Sequence, residues 1–299
     1  KVKVKGYPIE ELGGLLFAYM GPAPAPLVPR WDLMVWDNVM RDVGVTVIPC
    51  NWLQCQENSL DPVHVQWRHA YYSNHLLGSG QLPDGPRWTV RKHRKIAFEV
   101  FEHGMIKRRT YGPGADGQGE TTEQDPEWTS GHPIVFPNIL RVGSSFEYRV
   151  PIDDTHTLHV VYSAYAMPPG IKAPVQETVP QFEVPLFEDD GTCNTSYTLG
   201  QDMMAWATQG PIARRDLEKL GESDKGIILY RKLLAEQIAL AGEGEEVMNT
   251  FRDPSVKQID LFQEHAPGGD VSRANLWVRQ ASKYSPVVPI VDKLYAPVG

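Results

Sequence analysis

Apolar and polar residues alternate with a period of two, the mark of a half-buried strand, in several separated runs. Residues 1–5 (KVKVK) form one such run, and residues 15–19, entered through Gly13-Gly14 and closed by Gly21-Pro22, form a second. Residues 40–49 (MRDVGVTVIP) read as a third, and residues 88–111 as a hairpin turning near His103-Gly104. LRVGSSFEYRVPIDD and THTLHVVYSAYAMPP have the composition of strands and meet at Asp153-Asp154. The period lengthens to that of a helix late in the chain, over residues 200–209, stopped by Gly210-Pro211, and over residues 223–241, ended by Gly242. A shorter helix runs from Asn51, a suitable N-cap, to about Leu60, with Trp52, Cys55 and Ser59 on its small or apolar side. Pro-rich residues 22–29 read as an extended linker, and residues 70–87, 112–127 and 168–196 as loops. Strands followed by late helices predict an α+β fold whose antiparallel sheet is covered on one face.

Composition narrows the function classes. The chain has 299 residues, of which 41% are apolar, enough for a large core in one or two domains. A net charge of −8 argues against a nucleic-acid partner, which requires a basic footprint. Three cysteines, Cys50, Cys55 and Cys193, cannot all pair, which points to a reducing, cytoplasmic setting. No apolar run approaches the ~20 residues that cross a bilayer, so no membrane partner is expected.

The densest chemistry lies in residues 51–69, NWLQCQENSLDPVHVQWRH. His64 and His69 are five residues apart, a spacing that in an unbroken α-helix separates them by roughly 140° around the axis, too far for one ion. Pro62 lacks an N–H and clashes with the preceding turn, and it is the expected break that would bring the imidazoles together. Neutral imidazole suits iron, zinc, copper or nickel, so the pair leaves the metal open. A third ligand must come from elsewhere. One reading is a zinc hydrolase, for which Glu57 is the one nearby candidate base. Another is a binding module that keeps the pocket without turnover.

Glu57-Asn58, Asp61, His64 and His69, in the order EN-x-x-D-x-x-H-x-x-x-x-H, resemble the mononuclear iron segment of the Rieske non-haem iron oxygenases. The phrases TQGPIARRDLEKLGESDKGIILYRKLLAEQ and GHPIVFPNILRVG resemble the phthalate dioxygenase-like branch of that family. The resemblance implies a helix-grip catalytic domain over residues 30–299. Residues 1–29 would then be the last hairpin of a Rieske domain and its linker, with most of that domain outside the chain. The Cys-x-His and Cys-x-x-His pairs that hold a Rieske cluster occur nowhere in the 299 residues. The resemblance further implies Fe(II) on two histidines and a carboxylate, a [2Fe-2S] cluster in the missing N-terminal region, and electrons from NAD(P)H through a reductase. It implies assembly as a homotrimer or pair of trimers, with Asp61 bridging towards a neighbouring subunit's cluster and Asn58 beside it in the catalytic segment. The expected reaction is hydroxylation of an aromatic substrate, such as a phthalate, by O₂. The branch also holds monooxygenases and O-demethylases.

Two acids compete for the third ligand position. Asp202 opens QDMMAWATQG, with Gln209 two helical turns on along the same face, the spacing that related oxygenases use for the iron carboxylate. The family often has Glu before this Asp, and here the residue is Gln201. Asp224 follows Ser223 at a helix start, where an acid already has a structural reason to stand. The resemblance favours Asp202. His75, His93, His103, His132, His156, His159 and His265 have no partner at ligand spacing and read as strand, turn or surface residues. Glu57 reads either as a residue orienting a ligand imidazole or as a solvated helix position. For a substrate carboxylate, Arg94 in the charged strand RKHRK and Arg141 on a later strand are the expected clamps.

Overall fold

Side-chain alternation along the strands dictates two buried faces, and both are covered. The computed structural model describes residues 4–81, 90–114, 117–261 and 283–295. Its main sheet has eight strands: Val39–Ile48 (β3), His93–Phe101 (β4), Gly104–Tyr111 (β5), His132–Val135 (β6), Ile139–Val142 (β7), Ser145–Asp153 (β8), His156–Ala166 (β9) and Gln181–Glu183 (β10). Their order is β10-β3-β9-β8-β7-β6-β5-β4, and all pairs are antiparallel except β10 on β3. Strands β4 to β9 form a meander, each beside the next in sequence, while β3 sits beyond β9 at the opposite end from β4. The chain from β3 to β4 therefore crosses the width of the sheet, and residues 51–69 lie on that crossing.

One face, here the outer face, carries Val39 and Val43 of β3, Val135, Ile139, Phe146, and Tyr162 and Ala164 of β9. Packed on these are Leu12 of an N-terminal hairpin, Ile9–Leu12 (β1) with Leu15–Ala18 (β2), and Leu33 and Met34 of the short helix Asp32–Val35 (α1). The other, inner face is gripped by helices. Helix Thr198–Ala207 (α5) sets Met203 and Trp206 against Ile48 of β3 and Val161 of β9. Helix Lys225–Glu243 (α6) sets Tyr230 and Leu233 against Met105, Ile134 and Leu140. Helix Val288–Tyr295 (α7) closes a third cluster over Met40 and Tyr165. This is the expected α+β helix-grip architecture, with one correction: the N-terminal residues bury the outer face too, so the sheet is not covered on one side only. The expectation missed it because strands β3 and β9 carry apolar residues at both parities, the signature of a sheet buried on both faces.

Other boundaries moved for local reasons. The N-terminal hairpin pairs residues 9–12 with 15–18 around Gly13-Gly14, both at positive φ, whereas Val4 and Lys5 lie outside any strand and residues 1–3 lie outside the described residues. Residues 72–78, expected in a loop, form a helix, Tyr72–Gly78 (α3), and Pro126–Thr129 form a short helix (α4), while 82–89 are not described. LRVGSSFEYRVPIDD is two strands, β7 and β8, because Gly143 takes φ of 52° and turns the chain. Helix α6 passes Gly242 and ends at Gly244, which adopts the left-handed conformation while its N–H and that of Glu245 bond Ala241 O and Leu240 O. The loop 168–196 donates β10 to the edge of β3.

Candidate metal centre

The crossing segment begins with a capped helix, Trp52–Asn58 (α2), whose Asn51 side chain accepts from Leu53 N at 3.0 Å. After Pro62 the chain does not simply break. Residues Val65–Tyr71 form a π-helix, with His64 at its start and α3 following directly. A π-helix bonds i to i+5, so residues five apart stack one turn above the other. The spacing that an α-helix would splay is the spacing a π-turn aligns. The sequence expectation attributed convergence to Pro62 alone; the structure adds the wider turn as the device that delivers it. Asp61 starts this turn, its carboxylate accepting from Val63 N at 2.8 Å and His64 N at 3.2 Å.

Asp202 reaches the pair from α5. One donor atom each of His64, His69 and Asp202 falls within a set no wider than 4.8 Å. Asp202 Oδ1 is 3.2 Å from His69 Nε2 and 3.7 Å from His64 Nε2, and the two imidazole rings are 5.1 Å apart at 80°. An ion held about 2.1 Å from each of two adjacent donors separates them by about 3 Å, so the set is close to what a metal requires. Asn58 Nδ2 donates to Asp202 Oδ1 at 3.4 Å. Burial alone would push the Asp202 carboxyl up, but the charges of His69 and His64 and the bond to His69 hold it below its ordinary value. Burial opposes a proton on His69, and the Asp202 charge, with bonds from Asp202 and Gln201, outweighs it and raises the pKa.

Gln201, the departure from the family pattern, has a place here. Its Nε2 donates to Ser73 Oγ at 2.9 Å and to Thr195 O at 3.1 Å, which fixes the amide so that Oε1 faces His69 Nδ1 at 3.1 Å. The acceptor at Nδ1 holds a ring proton there and leaves Nε2, which faces Asp202, as the nitrogen that would bind a metal. The sequence held the signal, since Gln201 precedes Asp202 on the same helix, but Ser73 and His69 lie far away in the chain.

Several expected residues stand elsewhere. Glu57 orients no imidazole and is not solvated: its carboxylate bonds Arg215 and Arg231, and Arg231 also makes a two-bonded pair with Glu218. That commitment removes the one base the zinc-hydrolase reading had. Asp224 bonds Gly221 N at 2.7 Å at the start of α6, away from the histidines. Gln209 is exposed and bonds Ala205 O of its own helix. The carboxylate clamps are corrected as well. The Arg94 side chain is 58% exposed and pairs with Glu120. Arg141 points to the outer face, where it pairs with Asp32 and lies over Trp36 and Phe146. Strand parity explains both: a bulge between His93 and Lys95 shifts the register of RKHRK, and Arg141 shares the side of Ile139.

The residues that sequence reasoning passed over lie on the inner face. His93, read as a surface or strand histidine, is partly buried with neither ring nitrogen bonded among the described residues. Burial first, then the charges of Arg109 and Lys107, pull its pKa down to about 4. Glu147 bonds Arg149 at 2.6 Å and lies 3.6 Å from His159, beneath Trp206 of α5. No lone-residue signal marks these positions; only the parity of β4, β5 and β8, once the sheet is known, turns them inward.

Comparisons with known proteins find the following similarities. Residues 192–284 match the family model described as LigXa C-terminal domain like. Over 266 residues the chain is 40% identical to the 5,5'-dehydrodivanillate O-demethylase oxygenase subunit of Sphingobium sp., covering 89% of this chain and 60% of that protein. It is 27% identical over 301 residues to the phthalate 4,5-dioxygenase oxygenase subunit of Pseudomonas putida, covering 88% and 66% respectively. Among solved structures, Pseudomonas putida CBB5 NdmA aligns with 79% of this chain and 62% of its own at a TM-score of 0.46 and 15% identity. The chain thus spans about two thirds or less of the length of these relatives.

Proposed function

From the premise that the chain is homologous to the oxygenase alpha subunits of the Rieske family, we propose that it is the catalytic part of an oxygenase that uses Fe(II) to oxidise an aromatic substrate with O₂. The observation that carries this reading is the convergence of His64, His69 and Asp202 with the His69 tautomer set by Gln201. In this reading residues 1–29 are the end of a Rieske domain and 30–299 the iron domain. A [2Fe-2S] cluster outside these residues supplies electrons originating from NAD(P)H through a reductase, and the assembly is a homotrimer or a pair of trimers.

When bound, the ion supplies an open coordination face for O₂ and the redox change that the reaction needs. The rest falls to the chain. Gln201 and the π-turn hold the imidazoles in place, Asn58 steadies Asp202, and α5 and α6 keep water from the inner face. Asp61, whose side chain is partly exposed and lies 3.4 Å from His64 Nδ1, is suited to link the subunit surface with the ligand set. The more similar of the two named relatives is called an O-demethylase, which supports removal of an aryl methyl ether. Ring dihydroxylation remains as the second reading, supported by the relative named for phthalate.

The test is anaerobic Fe(II) binding by the full-length protein, followed by O₂ uptake with a methoxylated aromatic acid and a reductase. One iron per site is expected in the unmodified protein. His64→Ala, His69→Ala and Asp202→Ala should lose it, while Asp224→Ala should retain it. Release of formaldehyde matching O₂ uptake would identify demethylation. Stoichiometric zinc that iron cannot displace, or full iron occupancy in Asp202→Ala, would overturn the assignment.

A further inference from the structure

Cys50 follows β3 and Cys55 stands in α2, and the bend between them brings the two sulfurs to 3.5 Å. Both thiols are free and buried. A cysteine serves in many cores as a small apolar residue, but packing alone does not turn two sulfurs toward each other. Here the backbone holds them so. Thr157 Oγ1 donates to Cys50 O at 2.8 Å and the Asn51 side chain caps α2, which fixes both ends of the bend. The bond from the Cys55 thiol lowers the Cys50 pKa, and the same bond, with burial, raises that of Cys55, so Cys50 is the sulfur that ionises first. Exposed Pro49 and half-buried Asn51 flank Cys50, so the pair lies one residue beneath the surface. On its inner side it packs in one cluster with Ile48, Val161, and Met203 and Trp206 of α5. Met203 adjoins Asp202 in that helix.

We propose that Cys50 and Cys55 form a reversible disulfide under hydrogen peroxide, and that its closure loosens the seat of α5 and with it Asp202. The inference rests on the oxygenase reading for the meaning of Asp202, and goes beyond it in giving the site a redox control. The Cys50 thiolate attacks one oxygen of the peroxide: an S–O bond forms, the O–O bond breaks, and the leaving hydroxide takes up the proton that Cys50 released. The Cys55 sulfur then attacks the sulfenic sulfur of Cys50: an S–S bond forms, the S–O bond breaks, and a second hydroxide leaves as water with the Cys55 proton. Two thiols have lost two electrons and one peroxide has become two waters. The oxidant must be small, because burial keeps bulky disulfides from the sulfurs. A covalent S–S bond draws the sulfurs about 1.5 Å closer than their 3.5 Å contact. A close-packed core does not absorb such a shift without moving its neighbours, and two of these belong to the helix that presents Asp202. A reducing compartment returns the pair to thiols, as for other transient intracellular disulfides.

The experiment treats the full-length protein with hydrogen peroxide, removes the excess with catalase, blocks the remaining thiols and maps the peptides. A Cys50–Cys55 link is expected, reversed by a phosphine reductant and missing from Cys50→Ser and Cys55→Ser. Hydrogen exchange of the metal-free protein should be faster over residues 198–207 in the oxidised form, and anaerobic titration should show Fe(II) affinity lowered about tenfold. Cys50→Ser given the same peroxide should keep the exchange and the affinity of untreated protein, which separates the disulfide from damage elsewhere. Cys50→Ala serves where a buried hydroxyl prevents folding. A peptide map without the link overturns the proposal, as does a link that leaves exchange in α5 unchanged. Failure of the untreated protein to take up Fe(II) would count against the oxygenase reading instead, and exchange in α5 would still decide the proposal.

Discussion

Gln201 is the residue whose replacement isolates ligand orientation from ligation. Gln201→Leu keeps the volume of the side chain but leaves the His69 Nδ1–H facing no acceptor in a buried position. Loss of such a partner lowers metal affinity by about 10- to 100-fold, and the Fe(II) titration of the variant should show that range with an unchanged fold by circular dichroism. Asp42 provides a test of pH dependence away from the metal. Burial is the first cause that raises its carboxyl to about 6, against hydroxyl bonds from Ser285 and Tyr165 that favour the ion. The unfolded chain releases this proton near 3.8 and the folded chain near 6, so between these values the folded state binds more protons. Stability from this group is present at low pH, falls as pH rises from about 4 to 6, and is level above. Asp42→Asn should flatten that window and raise stability at pH 8 by on the order of 3 kcal/mol at most, seen as a higher melting temperature there. At this scale the two proposed histidine ligands were legible because a short spacing and a motif carry them, and Asp202 through the resemblance of its helix. The sequence could not show the role of Gln201, whose meaning depends on His69 and Ser73 brought from elsewhere in the chain.

Among the elements, the π-helix and α6 show where local rules compete. The H-x-x-x-x-H spacing contained the five-residue period of a π-turn, yet no propensity marks such turns, so an α-helix with a break was the natural expectation. Likewise Gly242 and Gly244 are equal candidates for ending α6, and only the carbonyls left free by the last turn select Gly244. At the other end of α6, Gly226 sits against the Phe98 ring of β4, so close that an added Cβ would overlap it. Two effects oppose each other in Gly226→Ala. Helix propensity favours Ala by about 1 kcal/mol, while overpacking against a well-placed ring costs about 1–3 kcal/mol. The contact should win, and urea unfolding is expected to show a net loss of up to about 2 kcal/mol. A gain would mean that Phe98 moves freely and that α6 does not depend on this close approach.

Across the whole molecule, the Glu57, Arg215, Arg231 and Glu218 ion pairs fasten α2, just before the ligands, to the segment before α6 and to α6 itself. Glu57 is buried and the two arginines are partly exposed, so breaking the cluster should cost less than a fully buried pair. Glu57→Ala is expected to destabilise by about 1–3 kcal/mol in denaturant titrations and to leave the ligand residues themselves intact. The α+β class and the order of elements were legible because strand and helix periods are local. The crossing of residues 51–69 was not, because it follows from β3 joining β9 rather than β4. That placement also orders events in time. Strands β4 to β9 pair with sequence neighbours, whereas β3 must find β9 across the chain, Val39 meeting Ala166. Long-range pairing is the slow kind, since loop entropy is lost before contacts repay it. The ligand segment hangs from β3, and Asp202 comes from a helix that rests on β3 and β9. Refolding followed by far-ultraviolet circular dichroism should therefore show the meander's signal before Fe(II) uptake begins, so that acquisition of the ion reports completion of the fold; simultaneous rise of both signals would place β3 in the early nucleus.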